Sequence, residues 1–373
     1  MRVLVLTPHY PPRHGGTSDY TKRFVAELRH RGAVVQVVTK EGGNAEEPDA
    51  RTFEGPWSLR SFGWFHRLLK EFGPDAVVVQ YGPYSFNKRG PGLPVTSLLV
   101  ALVSLHRVPL LVYGHELYSP WRESLLRAPW GVAQRLAVIA LIARSRSFIV
   151  TIESRRSRLV RLLPWWRRRI NAISVPPTLS DEPIDAAWRN ARGVPDGVLL
   201  VASMGVDDPT KGADSLAAVA DGLADAGVQA RVIAVGGLQS HSPRVEAWGY
   251  VSRSDAWNLV CAADLFVAPY SDGVSARRTT VVNALMAGSA ILTTDGVNTD
   301  PRIFSPEALA LVPAGDTEAL VRRAVELSGS VEELARLKRA ARDLGLREFG
   351  WDAHMSRWTR LLADVTGDIR QGR

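Results

Sequence analysis

The sequence has one cysteine among its 373 residues, Cys261, and this excludes an internal disulfide. It also lacks an apolar run of the roughly 18 residues that a membrane-spanning helix needs. The longest apolar runs, at 98–105 and 136–143, lie beside basic residues. The first apolar run, at 3–6, ends at Thr7 and is too short for the core of a signal peptide. We therefore expect a cytoplasmic protein.

Two common nucleotide-binding signatures are absent. No Gly-x-Gly-x-x-Gly follows the first predicted strand, which argues against a dinucleotide-dependent dehydrogenase, and no Walker A motif is present. The chain has no low-complexity tract, and its content of 46% apolar and 23% charged residues is ordinary for globular proteins. The length indicates about two domains.

The net charge of +8 is concentrated in one stretch. Nine arginines and the pair Trp165–Trp166 lie between residues 144 and 169. One interpretation is peripheral contact with the anionic inner face of a membrane, because basic residues and tryptophan suit a bilayer interface. The alternative is a solvated arginine-rich helix face whose tryptophans cover a domain edge. No recognition motif for nucleic acid accompanies the charge, so we expect no nucleic-acid partner.

Short β-rich runs alternate with helical patterns in both halves of the chain, and this predicts parallel sheets. We expect an α/β protein with two Rossmann-like domains whose parallel sheets face a central cleft. The predicted domains are 1–177, joined by a C-terminal helix at about 352–373, and 178–351. The predicted strands are 3–7, 34–39, 76–80, 110–113, 148–151, 172–175, 198–203, 231–235, 265–268, 290–293 and 309–312.

The segment 268–295 predicts a strand end, a polar loop, a helix and a new strand. Its loop and helix start contain Asp272, Gly273, Ser275, Arg277, Arg278 and Thr279. A helix N-terminus offers unpaired N–H groups and a partial positive charge, and two arginines beside it indicate an anion site of the kind that holds phosphates. The carboxylate of Asp272 suits hydroxyl groups instead. Phosphate and hydroxyl recognition together indicate a nucleotide-sugar.

The same segment resembles the donor-binding segment of retaining GT-B glycosyltransferases, the group (glycosyltransferase family 4-like) that includes glycogen synthases and bacterial mannosyltransferases. That group usually has Glu-Gly-Phe-Gly, then a second Glu, then Ala-x-Ala-x-Gly. Here Asp272-Gly273 stands in place of Glu-Gly-Phe-Gly, and the run 283–288 stands in place of the second Glu and the segment after it. The spacing from Asp272 to Asn283 is three residues longer than the usual spacing between the two Glu residues. The run 275–278 matches the Ser-x-Arg-Arg of a subset. The resemblance extends over nearly the whole chain.

The resemblance implies a retaining enzyme that transfers a hexosyl or related group from a nucleotide-diphospho-sugar to an acceptor. It implies that the loop with Gly15 and Gly16 faces the donor diphosphate, although two glycines alone equally predict a tight turn. His115 follows the predicted strand 110–113, at the end of the strand where substrates bind, and the family has a functional histidine at this point. Glu116 is the candidate acceptor contact. No second histidine follows at helical spacing, so this is not a zinc motif.

In the second domain the resemblance implies that Lys211 contacts the diphosphate. Val206 stands where the family usually has an arginine, which Arg277 or Arg278 replaces. Val251 belongs to a loop that meets the base through backbone groups, and Asn283 stands at the ribose-binding Glu position. Asp272 would orient the transferred sugar, together with His115 after closure of the cleft. We expect no metal and no other cofactor, because side-chain cations neutralise the diphosphate, although Asp207 and Asp208 are adjacent carboxylates.

Two alternatives of other classes stay open. A GT-B enzyme of another reaction, such as a nucleotide-sugar epimerase or a pseudo-glycosyl coupling enzyme, would share the donor site. A non-catalytic nucleotide-sugar-binding protein would fit the replacement of both acidic positions. Detection of sugar transfer, of an isomerised donor or of neither separates the three.

Overall fold

The computed structural model describes residues 1–13, 16–41, 50–86, 90, 92–118, 128–180, 182–205, 210, 212–238, 240 and 242–370, with the backbone alone at 128 and 368–370. Contacts between Cα atoms divide the chain into two compact units. The first contains Met1–Ile173 and Met355–Arg373, and the second contains Ser174–His354. The first unit is therefore built from both ends of the chain.

Parallel strands form the centre of the first unit. Its described residues contain seven of them: β1 (Arg2–His9), β2 (Val34–Glu41), β3 (Ala50–Thr52), β4 (Ala76–Tyr81), β5 (Leu110–Gly114), β6 (Ser147–Val150) and β7 (Ile170–Ala172). Their order is β3-β2-β1-β4-β5-β6-β7, and every neighbouring pair is parallel. Every residue of β4 is buried, as expected for a parallel strand that helices cover on both faces.

Helices connect these strands. They are α1 (Gly16–His30), α2 (Phe62–Phe72), α3 (Leu93–His106), α4 (Ala128–Arg144) and α5 (Glu153–Leu162), with 3₁₀ turns at Leu59–Ser61 and Pro164–Arg169. The last helix, α12 (Trp351–Arg370), begins in the second unit and continues in the first. Its Trp358 ring packs 4.8 Å from that of Phe24 and 5.6 Å from that of Tyr113, between ring centroids. These contacts fix the C-terminal helix to the core of the first unit.

The second unit has a six-stranded sheet in its described residues. The strands are β8 (Leu199–Met204), β9 (Ala230–Val235), β10 (Val245–Gly249), β11 (Leu265–Ala268), β12 (Ala290–Asp295) and β13 (Ala310–Pro313). Their order is β10-β9-β8-β11-β12-β13, again with parallel pairs throughout. The helices are α6 (Trp188–Ala191), α7 (Ala213–Asp225), α8 (Arg253–Ala262), α9 (Thr279–Ala287), α10 (Thr317–Ser328) and α11 (Val331–Leu344), followed by a π-helical turn at Gly345–Phe349.

The sequence of α11 shows how these helices form. Its buried residues recur at helical spacing, at Leu334, Leu337, Ala341 and Leu344, so one stripe of the helix packs on the sheet. The side chain of Ser330 accepts a hydrogen bond from the backbone N–H of Glu333 and so caps the N-terminus. Among the described residues, no helix has the length and the apolar character needed to cross a bilayer.

Strand order locates the places where ligands bind in such sheets. The order reverses between β1 and β4 in the first sheet and between β8 and β11 in the second. At such reversals, the loops that follow the two strands diverge and leave a crevice at the carboxyl ends of the strands. The segment that follows β11 includes the predicted loop around Asp272, so the second of these crevices lies beside part of the predicted donor site.

The predicted fold class is confirmed, and one predicted strand is wrong. The segment 172–175 is not a strand; β7 instead covers Ile170–Ala172, because its pairing with β6 places the buried Ile170 beside Phe148. The short edge strands β3 and β10 were not predicted. In β10 only Val245 is buried, so its sequence lacks the apolar run that identifies a central strand.

Candidate functional site

Three loops of the second unit meet at the carboxyl edge of its sheet. The backbone N–H of Ser271, after β11, donates to the carbonyl oxygen of Thr210, after β8, with an N–O distance of 3.2 Å. The N–H of Asn298, after β12, donates to the carbonyl oxygen of Asp272 at 3.0 Å. Gly273 has a φ of +85°, and a Cβ there would lie 2.5 Å from the backbone nitrogen of Gly296. A side chain at 273 would therefore separate these loops.

The carboxylate of Asp272 holds the two predicted phosphate-binding arginines. Its Oδ1 accepts from Nη2 of Arg278 at 2.5 Å, and its Oδ2 accepts from Nη2 of Arg277 at 3.1 Å. The amide of Asn298 donates to the same Oδ2 at 2.7 Å. Two positive side chains thus share one negative partner, and the cluster keeps an excess positive charge. The sequence indicated Asp272, Arg277 and Arg278 as site residues, but it did not indicate that Asp272 pairs with both arginines.

Arg278 is held on several sides. Its side chain is only 9% exposed, and its guanidinium carbon lies 4.3 Å from the centroid of the Tyr270 ring, a cation–π arrangement. Its terminal nitrogens lie 3.5 Å from the hydroxyl oxygen of Thr210. The Tyr270 hydroxyl pairs with that of Thr280 at 2.6 Å, and burial raises the pKa of Tyr270, so the phenol stays neutral. Tyr270 and Thr210 were not predicted.

Several polar atoms around the start of α9 are buried and lack a hydrogen-bond partner within the described part of the chain. They are Nε of Arg277, Nε of Arg278 and Oγ of Ser275. The helix begins at Thr279, and its N-cap residue, Arg278, makes no side-chain capping bond. An unsatisfied buried donor costs about 1–3 kcal/mol, and more when it is charged. Such a group of donors is suited to an anion that supplies the acceptors.

Asn283 holds a segment of its own unit. Its Oδ1 accepts from the backbone N–H groups of Thr178 at 2.9 Å and of Leu179 at 3.1 Å, and its Nδ2 donates to the Thr178 hydroxyl at 3.1 Å. The residue is 2% exposed. Its side chain therefore joins α9 to the start of the second unit, a role that a single sequence does not reveal. The ribose contact at this position stays a prediction.

The predicted base-binding loop follows β10. Val251 is half-buried and precedes Ser252, whose side chain caps α8 by accepting from the N–H of Asp255. The Tyr250 side chain is exposed, and a Cβ at Gly237 would lie 3.1 Å from its ring. The loop thus presents backbone groups and one aromatic ring.

In the first unit, His115 follows β5 and is held by a residue of β4. Its Nε2 lies 2.8 Å from Oε1 of the fully buried Gln80. In this orientation of the amide, the oxygen of Gln80 accepts from Nε2, which leaves Nδ1 of the imidazole as an acceptor. The ring also packs edge-on against Tyr20 and Tyr113, with centroids 5.3 and 4.7 Å apart. Gln80 was not predicted, although a glutamine in an apolar strand is a signal because buried polar groups need partners.

Burial lowers the pKa of His115 from 6.5 to about 4. The imidazole is therefore neutral near pH 7, and it acts as a hydrogen-bonding group rather than as a cation. A base of such low pKa accepts a proton only weakly. This favours the predicted contact with a sugar or acceptor hydroxyl over general-base catalysis.

The remaining predicted residues fall into two sets. Gly16 begins α1, where an added Cβ would meet no atom within 4 Å, and Glu116 is exposed next to His115. Gly15, Val206, Asp207, Asp208 and Lys211 lie outside the described residues. Within the described ranges, no group of three or more His, Cys, Asp or Glu side chains is arranged to hold a metal ion.

Comparison with known proteins supports a glycosyltransferase. Residues 195–330 match the family model described as glycosyl transferases group 1. The fold of both units is that of GT-B glycosyltransferases. No curated protein matches the sequence.

Three solved structures illustrate the likeness in fold. Sucrose-phosphate synthase from Thermosynechococcus elongatus has a TM-score of 0.72 at 16% identity, with 98% of this chain and 99% of that chain covered. HepE from Anabaena, solved with UDP and glucose, has a TM-score of 0.70 at 15% identity, with 98% and 100% covered. WaaG, a glycosyltransferase involved in lipopolysaccharide biosynthesis, has a TM-score of 0.67 at 15% identity, with the same coverage.

We expect the imidazole of His115 to stay neutral between pH 5 and pH 7.5, because burial lowers its pKa to about 4. The measurement is the pH titration of the histidine ring resonances by NMR, with His115→Gln used to assign the signal. A His115 signal that titrates near pH 6.5 would contradict the neutral imidazole.

We expect Asn283→Ala to lower the free energy of unfolding of the second unit by about 2–3 kcal/mol, because two backbone N–H groups lose their acceptor. Urea denaturation measures the change. Asn190→Ala, at an exposed asparagine of the same unit, is the control that should stay near the wild type. Equal stability of the alanine variant and the wild type would contradict the structural role.

Proposed function

We propose that the protein is a retaining glycosyltransferase that moves a sugar from a nucleotide-diphospho-sugar to an acceptor. The observation that carries this proposal is a group of three buried atoms around the start of α9, Oγ of Ser275 and Nε of Arg277 and of Arg278, which have no hydrogen-bond partner among the described residues. A diphosphate would supply acceptors for all of them. The match of residues 195–330 to the group 1 family model includes this site.

The arginines would stabilise the charge that develops on the leaving diphosphate. Their guanidinium groups are fixed by Asp272 before any ligand binds, so little reorganisation is needed during the reaction. The N–H groups of the first turn of α9, from Thr279 onward, add the positive end of the helix dipole. We propose that Lys211 contributes a further cation and that Gly15 and Gly16 approach the diphosphate closely.

The sugar and the acceptor would meet two carboxylates and a neutral imidazole. We propose that Asp272, which uses its two oxygens for three donors, accepts one further hydrogen bond from a sugar hydroxyl. The neutral His115 would pair with a hydroxyl through Nδ1, and Glu116 would contact the acceptor. Val251 would meet the base. Asn283 would donate to the ribose through the second hydrogen of its Nδ2, because its Oδ1 already accepts from two backbone N–H groups. The retaining outcome rests on the resemblance to the family.

A thermal-shift panel of nucleoside diphosphates and nucleotide-sugars tests the proposal first, followed by detection of sugar transfer with the donor that binds. HepE, a protein of the same fold, was solved with UDP-glucose, so uridine donors come first. Transfer to an acceptor with the anomeric configuration of the donor supports the proposal. An isomerised donor without transfer indicates an epimerase, and binding without turnover indicates a binding protein.

We expect Arg277→Ala to weaken the binding of the nucleoside diphosphate about 10- to 100-fold, because one charge-assisted contact is worth about 1.5–3 kcal/mol. The free nucleoside should bind as it does to the wild type. Arg302→Ala is the matched control, because Arg302 pairs with Asp300 and lies outside the cluster. Calorimetry measures both affinities. Unchanged diphosphate affinity in Arg277→Ala would remove the phosphate assignment.

We expect sugar transfer to continue in EDTA, because arginine side chains and a helix N-terminus neutralise the diphosphate. The measurement is the initial rate of transfer with chelator, and with added Mg²⁺ or Mn²⁺. A rate that EDTA abolishes and that a divalent cation restores would show that the reaction needs a metal.

A further inference from the structure

The outward face of α4 is apolar. Val132, Leu136 and Ile139 recur at i, i+4 and i+7, which is the spacing of one helix face, and all three are exposed, with Leu136 52% exposed. The opposite face is buried in the core of the first unit, through Val138 and Leu141 among others. This helix therefore presents apolar side chains to the protein core and away from it.

Other surface helices of the same protein follow the usual pattern. The outward face of α11 carries Glu332, Arg336, Arg339 and Arg342, all exposed, opposite its buried leucines. The apolar stripe of α4 is thus a local property rather than a feature of the whole surface. Contiguous apolar surface of this kind commonly marks an interaction site.

Further apolar side chains are exposed on elements that contact α4. Leu105 is exposed in the last turn of α3, which packs on α4, and the side chain of Arg144 at the end of α4 contacts the hydroxyl of Ser104. On another side, Arg169 donates to the carbonyl oxygen of Ala143 and joins the 3₁₀ turn at Pro164–Arg169 to α4. Leu162, the last residue of α5, and Trp165, in this turn, are 63% and 69% exposed. We call these side chains the apolar face: Leu105, Val132, Leu136, Ile139, Leu162 and Trp165.

Positive charge lies on the two elements that carry Leu162 and Trp165. Arg158, Arg161, Arg167 and Arg168 are exposed in α5 and the following turn. The stretch 144–169 has nine arginines and one acidic residue, Glu153, which pairs with Arg156 at 2.8 Å. Most of this charge is therefore not neutralised by carboxylates of the same stretch.

We propose that the apolar face binds the surface of a membrane that contains anionic lipids. Leucine, valine and isoleucine side chains would enter the boundary between headgroups and acyl chains, Trp165 would lie at the same depth, and the arginines would pair with lipid phosphates. A second copy of the chain is disfavoured as the occupant, because it would bring the same arginines together. Nucleic acid would satisfy the arginines but would leave the aliphatic side chains in water.

The proposal is independent of the proposed sugar transfer. None of the residues of the apolar face belongs to the predicted donor or acceptor site. Membrane binding can therefore be measured on the full chain without donor or acceptor, and loss of one property leaves the other to be tested.

Co-sedimentation of the full chain with vesicles tests the proposal. We expect binding to vesicles of equal parts phosphatidylglycerol and phosphatidylcholine, weak binding to phosphatidylcholine alone, and a decrease with added salt. Leu136→Ser with Ile139→Ser should reduce binding to the mixed vesicles at least about tenfold, because apolar area no longer enters the bilayer. Val297→Ser with Val331→Ser is the matched control, since both residues are exposed in the second unit, and it should bind as the wild type does.

A second pair of variants tests the contribution of the arginines to vesicle binding. Arg161→Gln with Arg168→Gln should weaken binding and flatten its salt dependence, whereas Arg336→Gln with Arg339→Gln, on α11, should change neither. Circular dichroism and the melting temperature confirm that each variant is folded. Quenching of wild-type fluorescence by brominated phosphatidylcholine in mixed vesicles, reduced in Trp165→Phe, gives a measurement that does not depend on the serine variants.

Several outcomes would overturn the proposal. They are no binding of the wild type to the mixed vesicles, equal binding by a folded Leu136→Ser, Ile139→Ser variant, or equal quenching in the wild type and in Trp165→Phe. A wild-type dimer in light scattering that becomes monomeric in the same serine variant would instead assign the face to a subunit interface.

Discussion

The ion pairs between Asp272 and its two arginines are the interaction on which the candidate donor site depends. Arg278 is almost fully buried, and a buried guanidinium without a counter-charge is strongly unfavourable. Asp272 supplies that charge and also accepts from Asn298, so the loops after β11 and β12 are fixed by the same carboxylate. The close approach of Gly273 to Gly296 makes this geometry accessible. One acidic side chain thus orients the cations and joins the loops that carry them.

This arrangement explains how a site can attract an anion and still fold. Two arginines beside an uncapped helix N-terminus would repel each other and the helix dipole if they were left alone. Asp272 compensates part of that charge and leaves an excess for a ligand. The Nε atoms of Arg277 and Arg278 remain without partners in the described part of the chain. Unsatisfied buried donors lower the free energy of unfolding, and a bound anion that accepts from them would remove this destabilisation.

The sequence predicted the parallel sheets and the order of strand end, loop, helix and strand in 268–295, because both depend on local patterns. Continuous apolar runs such as β4 identify buried parallel strands, and loops that follow strands locate binding sites. It did not predict β3 and β10, since edge strands have fewer buried residues. It also missed the pairing of His115 with Gln80 and of Asn283 with Thr178, which join residues 35 and 105 positions apart. Contacts at such separations depend on the folded topology rather than on local sequence.

The apolar face illustrates a different limit of sequence analysis. The run at 136–143 has the composition of a helix buried on all sides, so periodicity cannot separate a core helix from one that exposes an apolar stripe. Only the solvent exposure of Leu136 and Ile139 distinguishes them. Arginine-rich segments are ambiguous in a similar way, because charge alone fits a solvated face as well as a bound surface. The exposed aliphatic side chains of α4 and the exposed arginines after it lie in the same unit, and this restricts the interpretation. Aliphatic side chains suit the acyl chains of an anionic lipid surface, and arginines suit its phosphate headgroups.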